Sequence, residues 1–207
     1  GPNNTNIRWK TPIPLPGHNS IVAWGDRVFC TGATETKRQV YCLDAETGRT
    51  MWQRNVTDLI GSPFEPPQVW DETGYAAPTA ATDGRRVFAI FANGDLVAYD
   101  FEGERTWGLA LGNPDNAYGH STSLVVHRDL LLVQFDQGYP DEPGSSVMAF
   151  DTATGKLQWE TPRETAGSWT SPIVVQAADR WQFVTVASPW VIAYDPASGS
   201  EWWRCRG

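Results

Sequence analysis

Apolar residues in this chain fall in short runs, broken every few residues by Gly, Asp, Asn or Pro. No stretch of ten or more residues carries a helical period, so the pattern predicts strands joined by tight turns. One run occurs in four copies. Ala149-Phe-Asp-Thr-Ala-Thr-Gly-Lys-Leu-Gln-Trp159 recurs as Cys42–Trp52, as Ala193–Trp203 and, one residue shorter, as Ala98–Trp107. Each copy reads as a hairpin in which a small residue and an apolar one precede Asp44, Asp100, Asp151 or Asp195. That carboxylate can accept backbone N–H bonds inside the turn. Gly48, Gly103, Gly155 or Gly199 then supplies a positive φ, and the next strand carries a Trp with a large apolar face to pack.

The strands group into four units. The first holds Ile21–Trp24, Val28–Thr31, Val40–Asp44 and Thr50–Val56, and the second holds Thr79–Thr82, Val87–Phe91, Leu96–Asp100 and Arg105–Leu111. The third holds Ser123–Val126, Leu130–Phe135, Ser146–Asp151 and Leu157–Thr161. The fourth holds Ser171–Val175, Trp181–Val186, Trp190–Asp195 and Glu201–Cys205. Thr57–Gly74, with Pro63, Pro66 and Pro67, reads as a connecting loop, and Asp136–Gly144 as an acidic, solvent-facing one. Ile7–Thr11 looks like a Trp-bearing strand without its hairpin.

Four antiparallel strands per unit, apolar on both faces, predict sheets sandwiched between sheets, the blades of a β-propeller. Trp9, Trp52, Trp107, Trp159 and Trp203 stand 43, 55, 52 and 44 residues apart, near the spacing of propeller repeats. A β-sandwich with irregular strands is the structural rival. The expected blades cover about 17–56, 74–111, 119–162 and 167–205, within a single propeller over 1–207, with 7–11 as an orphan outer strand.

The repeat Ala-x-Asp-x-x-x-Gly-x-x-x-Trp resembles the tryptophan-docking motif of the pyrroloquinoline-quinone-like (quinoprotein) β-propellers. The resemblance implies that Trp52, Trp107, Trp159 and Trp203 are docking residues, each packing on the next blade. It also implies seven or eight blades in a full ring. The chain is thus similar to the N-terminal half of a cofactor-free member, with the remaining half or a second chain as the expected partner. An extracytoplasmic, periplasmic location is likewise what the resemblance implies.

Composition narrows the function. A net charge of −8 and a pI near 4.8 disfavour a nucleic-acid partner. No apolar run approaches the roughly 20 residues of a membrane-spanning helix. Cys30, Cys42 and Cys205 have no metal-cluster or haem-attachment spacing, and Cys30 and Cys42 are either buried thiols or a cross-strand disulfide. Quinone-dependent dehydrogenases of the resembled family use two adjacent cysteines and a calcium ion, and no two cysteines are neighbours here. Asp136, Asp141 and Glu142 could offer oxygens to calcium, but without a recognisable ligand spacing.

A second set of residues lies just before the first strand of each unit. His18, Tyr75, His120 and Trp169 stand within three residues of Ser20, Ala77, Ser123 and Ser171, and should crowd one mouth of the central channel. Rings there either line a pocket for a ligand or peptide or fill the space where blades converge. The expectation is a non-enzymatic binding or scaffold module for a protein or small ligand, without catalytic residues, metal or cofactor. The alternative is a fragment of a quinone-dependent alcohol or sugar dehydrogenase with pyrroloquinoline quinone and calcium.

Overall fold

A computed structural model describes residues 6–177 and 179–207. The described residues form an all-β protein built of four four-stranded antiparallel sheets, each a propeller blade. Blade I contains β1 (Val22–Trp24), β2 (Arg27–Ala33), β3 (Arg38–Asp44) and β4 (Thr50–Asn55). Blade II contains β5 (Ala81–Thr82), β6 (Arg86–Ile90), β7 (Asp95–Asp100) and β8 (Arg105–Ala110). Blade III pairs β9 (Val125–His127), β10 (Leu130–Phe135), β13 (Ser145–Asp151) and β14 (Leu157–Arg163). A two-stranded hairpin, β11 (Gly138–Tyr139) and β12 (Glu142–Pro143), interrupts it. Blade IV contains β15 (Ile173–Ala177), β16 (Arg180–Ala187), β17 (Trp190–Tyr194) and β18 (Glu201–Arg206).

The repeated motif has one geometry in all four blades. The small residue pairs directly across from the Trp: Cys42 with Trp52, Ala98 with Trp107, Ala149 with Trp159, Ala193 with Trp203. A β-bulge adjoins that pair each time, between Cys42/Leu43, Ala98/Tyr99, Ala149/Phe150 and Ala193/Tyr194. A bulge adds a residue to one strand and turns the next side chains to a new direction, and the small partner leaves room for the indole. The motif Asp caps the turn as its side chain predicts. Asp44 Oδ1 accepts from the Glu46 and Thr47 amides and from the Thr47 hydroxyl, and Asp151 does the same with Ala153 and Thr154. These bonds, led by the Thr hydroxyl, hold both carboxyls below the usual range.

Each Trp reaches forward to the next blade. A Cβ placed on Gly48, Gly103, Gly155 or Gly199 would fall within 3.0 Å of the ring of Trp9, Trp52, Trp107 or Trp159. All four glycines have positive φ, so the position excludes a side chain twice over. The same four indoles donate Nε1–H to the carbonyls of Ala45, Phe101, Thr152 and Pro196. Among the described residues, Trp203 meets no such hairpin. Its indole donates instead to Gln182 Oε1 of its own sheet, and the residue is 41% exposed.

Three apolar layers fill the spaces between blades. Phe29, Val40 and Cys42 pack on Val87, Val97 and Tyr99; Phe88, Ile90 and Leu96 on Leu131, Val133 and Phe150; Leu132 and Val147 on Phe183, Ile192 and Tyr194. Most of these side chains are fully buried, each stabilising by roughly 1.5–3 kcal/mol relative to exposure. The outward face of blade IV differs. The cross-strand row Ile173–Val184–Ala193–Trp203 and the row Val186–Val191–Cys205 share that face, and Ile173, Val186, Trp203 and Cys205 stand in solvent.

Two local expectations need correcting. No strand forms over 7–11. The segment is held along blade I by side chains instead: Trp9 on Gly48, the Thr11 hydroxyl on the Gly48 carbonyl and Arg8 on Glu46. Pro12, Pro14 and Pro16, which lack backbone donors, come directly after it. The loop 136–144 is not wholly solvent-facing either, because Asp136 is buried in an ion pair with Arg163. Cys30 and Cys42 are buried free thiols, and burial pushes Cys30 up to about 11.

Candidate ligand-binding face

The inner ends of the four blades are tied together by hydroxyl groups. The Ser20 amide donates to Thr79 Oγ1, the Thr79 amide to Ser123 Oγ and the Ser123 amide to Ser171 Oγ, at 3.0, 3.2 and 3.2 Å. This ladder matches Thr79, not Ala77, to the three serines. The first strands of consecutive blades also touch along it, β1 with β5, β5 with β9, β9 with β15. Residues just upstream of the ladder therefore gather at one end of the blades.

His18 and Tyr75 meet there. They line one cavity of about 260 Å3 together with Trp70, Glu35 and Asp71. The His18 amide donates to the Ala76 carbonyl, and Gly74 lies under its ring, the closest ring atom 3.4 Å from a Cβ built there. Trp70 comes from the proline-rich connection between blades I and II. A turn fixes it: the Thr73 and Gly74 amides both donate to the Trp70 carbonyl. Burial first, and then the Glu35 carboxylate, push the Tyr75 phenol up.

Trp169 lies in a different, more apolar cavity of about 300 Å3, shared with Val186, Pro189, Trp190 and Val191. At its polar edge Ser168 and Thr170 both donate to the Val186 carbonyl. Tyr118 links the two cavities. Its ring centroid is 4.6 Å from that of Trp70 and 4.9 Å from that of Trp169. Trp70 and Trp169 are 51% and 58% exposed, so the row of three rings faces water.

His120 does not join them. It is 4% exposed, stacked on Phe135 at 5.4 Å, with Nε2 3.0 Å from the Thr122 carbonyl. Its backbone amide donates to Ala92 of the preceding blade, which draws the ring into the layer between blades II and III. Burial lowers its pKa to about 4, only partly opposed by the Thr122 contact. Its expected place at the mouth is thus corrected: it is a neutral, space-filling ring.

The acidic loop is divided as well. Asp136 sits 3.1 Å from Arg163 Nη1 and accepts from Gln134 Nε2 at 2.6 Å. Burial pushes its carboxyl up against the pull of Arg163 and Gln134. Asp141 and Glu142 are exposed on the β11–β12 hairpin. The three carboxylates considered for calcium do not converge, and among the described residues no three His, Cys, Asp or Glu form a metal-binding group. Reading the sequence missed Trp70 and Tyr118. The signal for both was an aromatic residue near Gly in segments whose only visible role was to connect blades.

A family model described as outer membrane protein assembly factor BamB matches residues 2–162 and 143–206. The chain belongs to the pyrroloquinoline-quinone-like repeat family. Among solved structures, this repeat chain is similar to BamB from Moraxella catarrhalis, with a TM-score of 0.61 and 18% identity over 96% of this chain and 54% of that one. It is also similar to a europium-containing methanol dehydrogenase, with a TM-score of 0.67 and 14% identity over 93% of this chain and 42% of that one. The quinohemoprotein alcohol dehydrogenase from Comamonas testosteroni gives 0.66 and 14%, over 93% and 35%. At such identities the likeness establishes the propeller fold alone. The repeat chain spans about half, or less, of the length of these structures. Comparison with curated proteins by sequence gives no match. No helix among the described residues is long and apolar enough to cross a membrane.

Proposed function

We propose that this chain is a non-enzymatic binding module that presents the inner end of its blades to a partner protein in an extracytoplasmic compartment. The observation that carries this reading is the solvent-facing row Trp70–Tyr118–Trp169 with a cavity at each end. Rigid rings held by a β scaffold give large contact area at little entropic cost, which suits protein recognition. A family description that names an assembly factor supports both the binding role and the compartment.

The dehydrogenase reading has less support. Cys30 and Cys42 are buried thiols on neighbouring strands of blade I and do not reach the aromatic face. Asp136 is already committed to Arg163, and Asp141 and Glu142 are exposed on a separate hairpin. These residues do not fit a quinone with its calcium.

The outward face of blade IV is the second contact surface in this reading. It carries the apolar rows and Trp203, which among the described residues has no glycine turn beneath it. Its occupant is another blade, from the remaining half of a ring or from a second chain.

The test is site-specific photocrosslinking in the host cell, with a benzophenone amino acid at Trp169. A discrete protein adduct that disappears on Trp70→Ala and Tyr118→Ala is the expected outcome. Absence of the adduct, together with stoichiometric uptake of pyrroloquinoline quinone and dye-linked alcohol oxidation, would reverse the reading.

A further inference from the structure

The two cavities flanking the aromatic row differ in chemistry, and that difference specifies what each accepts. The cavity around His18 and Tyr75 is walled by the Trp70 and Tyr75 rings and carries two carboxylates, Glu35 and Asp71. No lysine or arginine lines it. Arg38, which lines a small neighbouring pocket with Glu35 and Tyr75, is held 3.0 Å from the buried Asp95, and that ion pair takes up its charge. Its neighbour Lys37 lines a separate cavity, with Gln39 and Asn55. The Glu35 and Asp71 side chains have no hydrogen-bonding or ion-pair partner among the described residues. An aromatic wall beside unpaired carboxylates attracts a cation through the ring quadrupole and through direct charge. A planar guanidinium satisfies both at once, since it stacks on an indole and forks to a carboxylate.

The second cavity lacks this character. Val186, Pro189, Trp190 and Val191 line it with Trp169, and none of its lining residues has an acidic side chain. The guanidinium groups of Arg204 and Arg206 already lie 5.6 and 5.8 Å from the Trp190 ring. A basic side chain is therefore repelled there and an apolar one accepted. Tyr118 bridges the cavities through ring contacts of 4.6 and 4.9 Å. At roughly 3.3 Å per residue, about four residues of extended chain reach past that row into both cavities and keep the two end side chains on one face.

The geometry points to an extended segment of a partner protein as the occupant of this face, with an arginine side chain in the Glu35–Trp70–Tyr75 cavity and an apolar side chain four residues away, on the same face of the segment, in the Trp169–Trp190 cavity. This inference rests on the binding-module reading and names its ligand chemistry. Charge complementarity decides for a basic segment: the chain carries −8 overall, and the cavity itself holds two of its carboxylates. The contact is steered by long-range attraction and weakens with salt.

The experiment uses the 207-residue chain and a fluorescein-labelled heptapeptide, Gly-Arg-Thr-Val-Thr-Leu-Ser, followed by fluorescence anisotropy. A second peptide replaces the arginine by citrulline, which keeps shape and loses charge, and a third replaces the leucine by serine. The expected result is saturable binding of the first peptide, weakened at least tenfold by citrulline and by the double change Glu35→Gln, Asp71→Asn. The serine peptide binds more weakly to the unsubstituted chain, and Trp70→Ala weakens both basic and citrulline peptides. Equal binding of the arginine and citrulline peptides, with Trp169→Ala still reducing both, overturns the cation assignment and leaves the aromatic binding face intact. Absence of binding by any of the peptides overturns the assignment too, and the photocrosslinking result then decides the broader reading by itself. All substituted positions are exposed or half-buried, and unchanged melting curves confirm that the variants fold.

Discussion

The docking of Trp107 on Gly155 can be tested by a double-mutant cycle. The Trp107 ring lies against the glycine so closely that a Cβ there would be 2.7 Å from Cδ2 and Cε3. Its Nε1–H donates to the Thr152 carbonyl at 2.9 Å, and its ring meets Phe88 at 5.8 Å. Trp107→Ala removes the packing and leaves that carbonyl without its indole. Buried Trp truncations cost about 3–5 kcal/mol, and the partial exposure of Trp107 places it at the lower end, about 3 kcal/mol. Gly155→Ala adds a methyl where φ is +70° and where a rigid ring already stands. The left-handed conformation costs about 1–2 kcal/mol and the overlap about 1–3 kcal/mol more. In the Trp107→Ala background the overlap vanishes and only the backbone cost remains. Urea melts of the four proteins should therefore show Gly155→Ala to be milder, by about 1–3 kcal/mol, when Trp107 is absent. Equal cost of Gly155→Ala in both backgrounds would refute the docking geometry.

Two other expectations concern buried and uncovered groups. His120 is depressed to about 4, below its ordinary value of about 6.5, so the unfolded chain binds the extra proton first. Stability is full above about pH 6.5 and falls by roughly 3 kcal/mol as pH drops to about 4; chemical melts across that window should lose most of this slope in His120→Gln. The outward face of blade IV should drive association, so light scattering on the 207 residues is expected to give a dimer or larger species that Trp203→Ser with Val186→Ser shifts toward monomer. A compact monomer for the unsubstituted chain would remove that surface from the reading.

Much of the fold was legible because each slot of the repeat answers one local constraint. A small residue must stand opposite the indole, an Asp must cap the turn and a glycine must occupy positive φ. Four copies of those constraints left few alternatives to stacked blades. Strand limits were less legible where sequence gives little to count. β5 is only Ala81–Thr82, and the stretch of Ala, Pro and Thr before it offers several equivalent registers. The hydroxyl ladder chooses Thr79, a long-range choice that Ala77 and Thr79 do not reveal locally.

The same register explains why the candidate site was only half legible. Where a lead into the first strand runs extended, side chains alternate between faces, and parity relative to the ladder matches where each ring points. His18 and Trp169 stand two residues before Ser20 and Ser171, and Tyr75 stands four before Thr79, all even steps. These three line cavities. His120 stands three before Ser123, an odd step, and is buried between blades. Counting nearness to the first strand grouped the four together, whereas counting parity would have separated His120. Trp70 and Tyr118 escape both counts, since each is placed by a connecting segment, next to a glycine at positive φ in the case of Tyr118 and through the turn ending at Gly74 in the case of Trp70. The blades fix the positions of His18, Tyr75 and Trp169, and the connections supply the rings that join them into one face. In the binding role proposed for this chain, the contact rings therefore lie mainly where the repeat is broken, which is where a periodic reading has least to offer.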